Sequence, residues 1–158
     1  MPGLEEQWSE SECLTLRLGA VWILSALVGQ THFDADEQEA FWDCVTDAAL
    51  RTDGLPRQVL DAMAADRKWL FDEFELDDRP IVSGLNTVVR LLERADVTEA
   101  DRVRSTLMAV GRGFARARGP FGRRLTVEDE RILALLEQLL QPESDIVRDS
   151  PMNSDQPI

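Results

Sequence analysis

The only histidine of the chain lies in a short acidic segment with the residue types of a divalent-metal site. His32, Asp34, Asp36 and Glu37 fall within six residues, and imidazole and carboxylate groups are common metal ligands. Their spacing matches neither a zinc motif nor the twelve-residue calcium loop. Helix capping is the alternative, because Asp34 with Glu37 three residues later forms a capping box and Asp36 suits the positive end of a helix dipole.

A second candidate site is a basic stretch in an otherwise acidic chain. The formal net charge is -13, yet residues 102 to 124 carry seven arginines and no carboxylate. They are Arg102, Arg104, Arg112, Arg116, Arg118, Arg123 and Arg124. The last five could converge on a phosphate, a carboxylate cluster or an acidic partner segment, since guanidinium groups bind such anions with paired hydrogen bonds. The alternative is that the arginines neutralise the chain's own carboxylates.

Catalytic chemistry is poorly represented in the sequence, so we predict a protein that is not an enzyme. A nucleophilic triad needs a base, and His32 is the only histidine, with no GxSxG turn in the chain. Cys13 and Cys44 lack CxxC spacing and fall in apolar helical patterns, which favours buried, reduced thiols in a cytoplasmic protein. The glycines of residues 111 to 116 lie inside a helical stripe and predict close helix packing rather than a phosphate loop.

Apolar residues recur at intervals of three and four along most of the chain, and tyrosine is absent. This pattern predicts an all-α, single-domain bundle of about six helices. Residues 1–10 are predicted to be an N-terminal extension, residues 11–141 the helical domain and residues 142–158 a disordered tail. The first helix, from about Ser11 to Val28, is apolar almost all round and should be central. Its longest apolar run is about twelve residues, against roughly 20 for a membrane span.

Caps and breakers divide the rest of the domain. The second helix should open at Asp34 and stop at residues 52 to 54, and the third should follow Pro56 and bury side chains as far as Phe74. A fourth helix should start at Pro80. A capping box at Thr98 with Asp101 predicts the start of the fifth helix, and Thr126 and Asp129 should open the sixth.

The first two and the last two predicted helices share a plan. In each pair a long helix ends at a glycine, and an apolar residue and an N-cap then open an acidic-headed helix. The corresponding residues are Gly29 with Gly119, Phe33 with Leu125, and Asp34 with Thr126. Such self-similarity predicts two helical hairpins related by a pseudo-twofold axis.

These loop residues, together with Glu37 and Asp129, give residues 12 to 140 a resemblance to the TerB-like family of tellurite-resistance and stress-associated proteins. The resemblance implies an all-helical fold with two such hairpins. It also implies an acidic cluster linked to divalent-metal binding, with an aspartate before each loop glycine. Those two positions are Val28 and Arg118 here, and neither side chain ligates a hard cation. The resemblance therefore implies the fold more strongly than the metal function.

The overall charge narrows the classes of partner. A pI near 4.4 argues against nucleic-acid and anionic-membrane binding, because both partners are negatively charged. We expect a non-catalytic binding or adaptor protein that engages a partner protein or small anion through Arg112, Arg116, Arg118, Arg123 and Arg124. A metal-binding stress-response protein that uses His32, Asp34, Asp36 and Glu37 is the alternative, and self-association into a homo-oligomer is compatible with either function.

Overall fold

The computed structural model describes residues 3–118 and 125–142, and it is all-helical over that part of the chain. Eight helices follow one another along the described residues: α1 (Leu4–Gln7), α2 (Glu10–Val28), α3 (Ala35–Leu50), α4 (Gly54–Ala65), α5 (Leu70–Leu76), α6 (Ile81–Leu92), α7 (Val97–Arg118) and α8 (Val127–Leu139). The predicted all-α class is confirmed. The predicted tail from residue 143 onwards, and the loop glycine Gly119, lie outside the described residues.

The number of helices differs from the predicted six for two reasons. A short helix, α1, forms within residues 1–10, where an extension was predicted, and it buries Leu4 and Trp8 in the common core. The predicted third helix is two helices, α4 and α5, separated by a tight turn at Asp66 to Trp69. No proline or glycine marks that turn. Tertiary contacts hold the turn instead: Asp66 pairs with Arg17 of α2, and Arg67 lies over the Trp42 ring.

Helix α2 is the centre of the fold, as predicted. Helices α4, α5, α6, α7 and α8 all pack against it, and side chains on every side of it are buried, including Leu18, Val21, Trp22 and Ile23. Among the described residues it is the one helix that is long and apolar enough to cross a membrane by length and composition. About two thirds of that apolar segment, 67%, is buried inside the protein, which is how the core helix of a folded domain behaves.

Two glycines allow neighbouring helices to approach α2 closely. A Cβ atom on Gly84 of α6 would overlap the ring of Trp22, and a Cβ on Gly111 of α7 would lie 2.6 Å from the Ile23 side chain. Both distances are too short for real atoms, so only glycine fits. The prediction that Gly111 serves close helix packing is confirmed.

Local side-chain caps set four of the eight described helix starts, those of α2, α3, α7 and α8. Asp34 and Glu37 form the predicted capping box: the Asp34 carboxylate accepts from the Glu37 N–H at 2.8 Å, and Glu37 accepts from the Asp34 N–H at 2.9 Å. Thr126 accepts from the Asp129 N–H at 3.0 Å. The predicted box at Thr98 and Asp101 is wrong. Asp96, two residues earlier, is the N-cap instead: it accepts from the Thr98 N–H, and α7 begins at Val97.

An aromatic cluster joins the start of α3 to α5. Its members are Phe33, Phe41, Trp42, Phe71 and Phe74, with ring centroids 5.2 to 6.0 Å apart. All five side chains are buried, and edge-on contacts of this kind add to the hydrophobic stabilisation. The three-four spacing of apolar residues also predicts Ala64 and Ala117 in the core, and this is wrong, because both are exposed. Trp69 also falls in a helical stripe that predicts a core or interface anchor, but it is 54% exposed because it lies in the turn before α5.

Candidate arginine site on helix α7

Two arginines at the start of α7 are held by the protein's own carboxylates. Arg102 donates to Glu99 at 2.5 Å and also pairs with Asp53. The hydrogen bonds to Asp53 and Glu99 raise the pKa of Arg102, and hydrogen bonds from the Leu55 N–H and from Arg102 lower the pKa of Glu99. Arg104 pairs with Asp101, three residues before it, and is only 8% exposed. For Arg102 and Arg104 the alternative interpretation, internal neutralisation, is the better description.

Arg118 is also engaged internally, but with backbone rather than with a carboxylate. Its Nη1 donates to the carbonyl oxygen of Leu27 at 2.7 Å, and its guanidinium lies 5.9 Å from the centre of the Phe114 ring. Leu27 belongs to the last turn of α2, where carbonyl groups lack helical partners and the helix dipole is negative. Arg118 therefore caps the C-terminus of α2, next to the left-handed Gly29.

Arg112 and Arg116 remain. They lie one turn apart on α7, Arg112 half-buried and Arg116 exposed. Neither has a hydrogen-bond or ion-pair partner among residues 3–118 and 125–142, although the chain has 30 carboxylate residues. Arg123 and Arg124, which were predicted to belong to the same site, lie outside the described residues. The structure therefore retains two of the five predicted site residues as available cations and assigns Arg118 another role.

A polar groove of about 380 Å³ borders Arg112, between α7 and the C-terminal end of α8. The α7 wall contains Asp101, Arg104, Ser105, Met108 and Arg112, and the α8 wall contains Glu137, Leu140 and Gln141. The α7 residues are spaced by three and four along the chain, so they share one helix face. The spacing of residues in the sequence is enough to predict the α7 wall. The α8 wall was not predicted, because it depends on how two distant segments pack together.

A second groove lies between α3 and α7 and contains Cys44. Ala40 and Ala48 line its α3 wall, and Ala109 and Gly113 its α7 wall. Burial is the main cause that raises the pKa of the Cys44 thiol to about 11, and burial likewise raises the pKa of Cys13. Both cysteines are free thiols. Because each thiol stays protonated near pH 7, neither is an activated nucleophile.

The four residues of the predicted metal site do not come together. Asp34 and Glu37 are engaged in the capping box, and Asp36 is exposed in the first turn of α3. The His32 side chain is directed towards α5 instead: its Nδ1 lies 2.8 Å from the carboxylate of Glu75, in the last turn of that helix. Within the described ranges, no group of three or more histidine, cysteine, aspartate or glutamate side chains is placed to hold a metal ion.

One further cluster of ionisable groups lies apart from the arginine face. Arg17 Nε is 3.4 Å from the Asp66 carboxylate and Arg17 Nη2 is 3.7 Å from the Glu73 carboxylate. The pKa of Glu73 is raised to about 7, first by burial and then by the hydrogen bond and the negative charge of Asp66, and Arg17 offsets only part of this. Local sequence spacing could not predict this cluster, because its three residues come from α2, the turn between α4 and α5, and α5.

Comparisons of this chain with protein-family models, with curated proteins and with solved structures found no match.

Proposed function

We propose that this chain is a non-catalytic binding protein and that Arg112 and Arg116 form the surface on which it engages an acidic segment of a partner protein. The proposal rests on which arginines form ion pairs with carboxylates of the same chain and which do not. Most of the described arginines form ion pairs with carboxylates of the same chain: Arg17, Arg51, Arg57, Arg79, Arg94, Arg102, Arg104 and Arg131. Arg112 and Arg116 have no such partner in the described part of the chain.

This arrangement suits a carboxylate supplied from outside. A guanidinium group presents two parallel N–H donors to a carboxylate, and residues four apart on a helix present them on one face. An exposed pair of this type stabilises a complex by about 0.2 to 1 kcal/mol. Two pairs alone therefore give weak binding, and we expect the partner to add contacts along α7.

The same proposal includes the TerB-like fold with two pseudo-symmetric hairpins. It is supported by the contact between Arg118 and the Leu27 carbonyl oxygen. Arg118 and Val28 occupy the two positions at which the family has an aspartate, and this hydrogen bond joins one such position to the neighbour of the other. A guanidinium group at this junction disfavours a divalent cation, which is why we propose partner binding rather than metal binding.

The test uses a fluorescein-labelled peptide of ten glutamates and measures its anisotropy with the full-length protein. At about 0.15 M salt the Debye length is roughly 8 Å, so the repulsion between the peptide and the acidic protein is screened while direct contacts persist. As the salt concentration is raised above about 0.15 M, we expect the affinity to fall, because the direct charge contacts are then screened as well. The double variant Arg112→Ala/Arg116→Ala should lose about tenfold in affinity, which corresponds to ~1.4 kcal/mol.

The matched control is Arg51→Ala/Arg57→Ala. It removes the same two positive charges, but from arginines that pair with Asp47 and Asp61. We expect this control to bind the peptide nearly as well as the wild-type protein. Equal losses in the two double variants would attribute binding to net charge alone, and no loss in either would refute the proposed surface.

A further inference from the structure

The groove between α7 and α8 contains charges of both signs that do not neutralise one another across it. Arg112 on α7 and Glu137 on α8 line the same groove. Neither has an ion-pair partner within the described residues, so their charged groups stand more than the 4.0 Å of a salt bridge apart. A molecule that carries a carboxylate and an ammonium group would bridge them.

The α7 wall is built to receive an anionic group. Arg104 is nine-tenths buried, and Asp101 occupies part of its guanidinium group. A buried guanidinium is poorly hydrated, so its remaining N–H groups gain more from a new acceptor than exposed ones do. Arg112 lies two turns further along the same helix face, and Ser105 between them adds a hydroxyl donor.

The α8 wall is suited to a cationic group. Glu137 is exposed on the last turn of α8, and α8 ends at Leu139. The last turn of α8 forms the negative end of the helix dipole, and the Glu137 carbonyl oxygen accepts from the Gln141 side chain at 3.4 Å. A carboxylate and a helix C-terminus at one place favour an ammonium group through charge and hydrogen bonds together.

The total charge and size of the groove define the ligand further. Arg104 and Arg112 balance Asp101 and Glu137, so the formal charge of the lining is zero. A dianion such as phosphate would gain two cations but meet two carboxylates, whereas a zwitterion meets a favourable charge at each end. The volume of about 380 Å³ has room for on the order of ten water-sized groups. Buried Met108 and Leu140 supply an apolar floor for a short carbon chain.

We propose that this groove binds a small zwitterion, a free amino acid or a short amino-carboxylic acid, with its carboxylate at Arg104 and Arg112 and its ammonium group at Glu137. This site goes beyond the proposed partner surface. It shares Arg112 with that surface, but it does not use Arg116, and Glu137 belongs to the groove alone. The two proposals can therefore fail independently.

The experiment is a ¹⁵N-edited NMR titration of the full chain with glycine, β-alanine, γ-aminobutyrate and 6-aminohexanoate, with acetate and methylammonium as single-charge probes. We expect saturable shifts confined to the amides of residues 101–112 and 137–141 for at least one zwitterion, with dissociation constants near a millimolar. The single-charge probes should bind at least tenfold more weakly. The chain length of the best ligand reports the distance between the two charged ends.

Two variants and one control complete the test. Arg112→Gln and Glu137→Gln should each weaken the best zwitterion at least tenfold, whereas Arg116→Gln should leave it unchanged and weaken only the glutamate peptide. Acetate binding as tightly as the zwitterions, with no effect of Glu137→Gln, would overturn the zwitterion site in favour of a plain anion site. The absence of shifts in both segments at about 20 mM probe would overturn it entirely.

Discussion

At the residue scale, the role and the charge state of a side chain depend on the groups that contact it. Arg104 and Arg118 are both in α7, yet one is held by a carboxylate and the other caps a helix with its backbone contact. Glu73 shows the converse, since burial beside Asp66 makes a carboxyl group retain its proton near pH 7. Arg104 contacts a residue of its own helix, whereas the role of Arg118 and the charge state of Glu73 follow from residues in other elements.

Glu73 leads to a prediction about pH. Its pKa is about 7 in the folded protein and 4.5 ordinarily, so the folded state binds this proton more tightly than the unfolded state does. The resulting stabilisation is fully present below pH about 4.5 and is lost as the pH rises through about 7. Glu73→Gln keeps a neutral hydrogen-bonding group, and we expect this variant to gain stability relative to the wild-type protein as the pH rises from about 5 to 8.

Urea unfolding of both proteins across that range measures the difference. The control is Glu130→Gln, which removes an exposed carboxylate from α8 and should shift the unfolding free energy by a pH-independent amount. If Glu73→Gln and the wild-type protein show the same pH slope, Glu73 titrates normally and the raised pKa is wrong.

At the element scale, one helix can supply the cap that another lacks. Asp53 makes no side-chain cap at the start of α4. The Leu55 N–H donates instead to Glu99 of α7 at 2.8 Å, and Arg102 holds the Glu99 side chain in place. The chain reaches this arrangement through Gly54, whose φ of +66° is left-handed and suits glycine. The start of α4 is therefore stabilised by α7 rather than by its own sequence.

Removal of that cap should destabilise the protein by a predictable amount. Loss of an N-cap acceptor costs about 0.5 to 2 kcal/mol, so we expect Glu99→Ala to lower the unfolding free energy by about 1 to 2 kcal/mol, since Arg102 also loses a partner. Glu99→Gln retains an acceptor and should lose less. The control Asp47→Ala breaks only an exposed pair with Arg51 and should cost less than about 0.5 kcal/mol. Equal effects of Glu99→Ala and Asp47→Ala in urea unfolding would contradict the cross-helix cap.

At the scale of the whole molecule, the first residues of the chain are part of one core. Leu4 is 2% exposed and Trp8 is 6% exposed, and the guanidinium group of Arg94 lies 4.6 Å from the centre of the Trp8 ring. Arg94 also donates to Glu12 at 2.6 Å. The N-terminal segment is thus joined to α2 and to the end of α6 by both packing and charge.

The two tryptophans Trp8 and Trp69 give a direct test of this packing. Truncation of a buried aromatic residue to alanine costs about 3 to 5 kcal/mol, so Trp8→Ala should lower the unfolding free energy by that amount. Trp69 is 54% exposed, so Trp69→Ala should lower the unfolding free energy by less than about 1 kcal/mol, including the loss of its contact with Lys68. Thermal and urea unfolding measure both. Trp8→Ala with wild-type stability would mean that residues 1–10 are dispensable.

The sequence by itself determined the helical class, the central position of α2, its end at Gly29 and the capping box of α3. These features depend on residues within one or two turns of each other, so periodicity and capping chemistry report them directly. The boundaries that were predicted wrongly, such as the start of α4 at Gly54 rather than after Pro56, show where local signals fail. Asp96 competes with Thr98 for one helix start, and the break at Asp66 to Trp69 has no glycine or proline to announce it.

Only the tertiary structure decided which arginines are available. Arg102 meets Asp53, 49 residues earlier, and Arg118 meets Leu27, 91 residues earlier. Glu137 and Arg112 share a groove only because α8 packs beside α7. The sequence shows an excess of positive charge in residues 102 to 124, but a charge is available for binding only when no other part of the fold neutralises it. That depends on long-range packing, which local spacing does not encode.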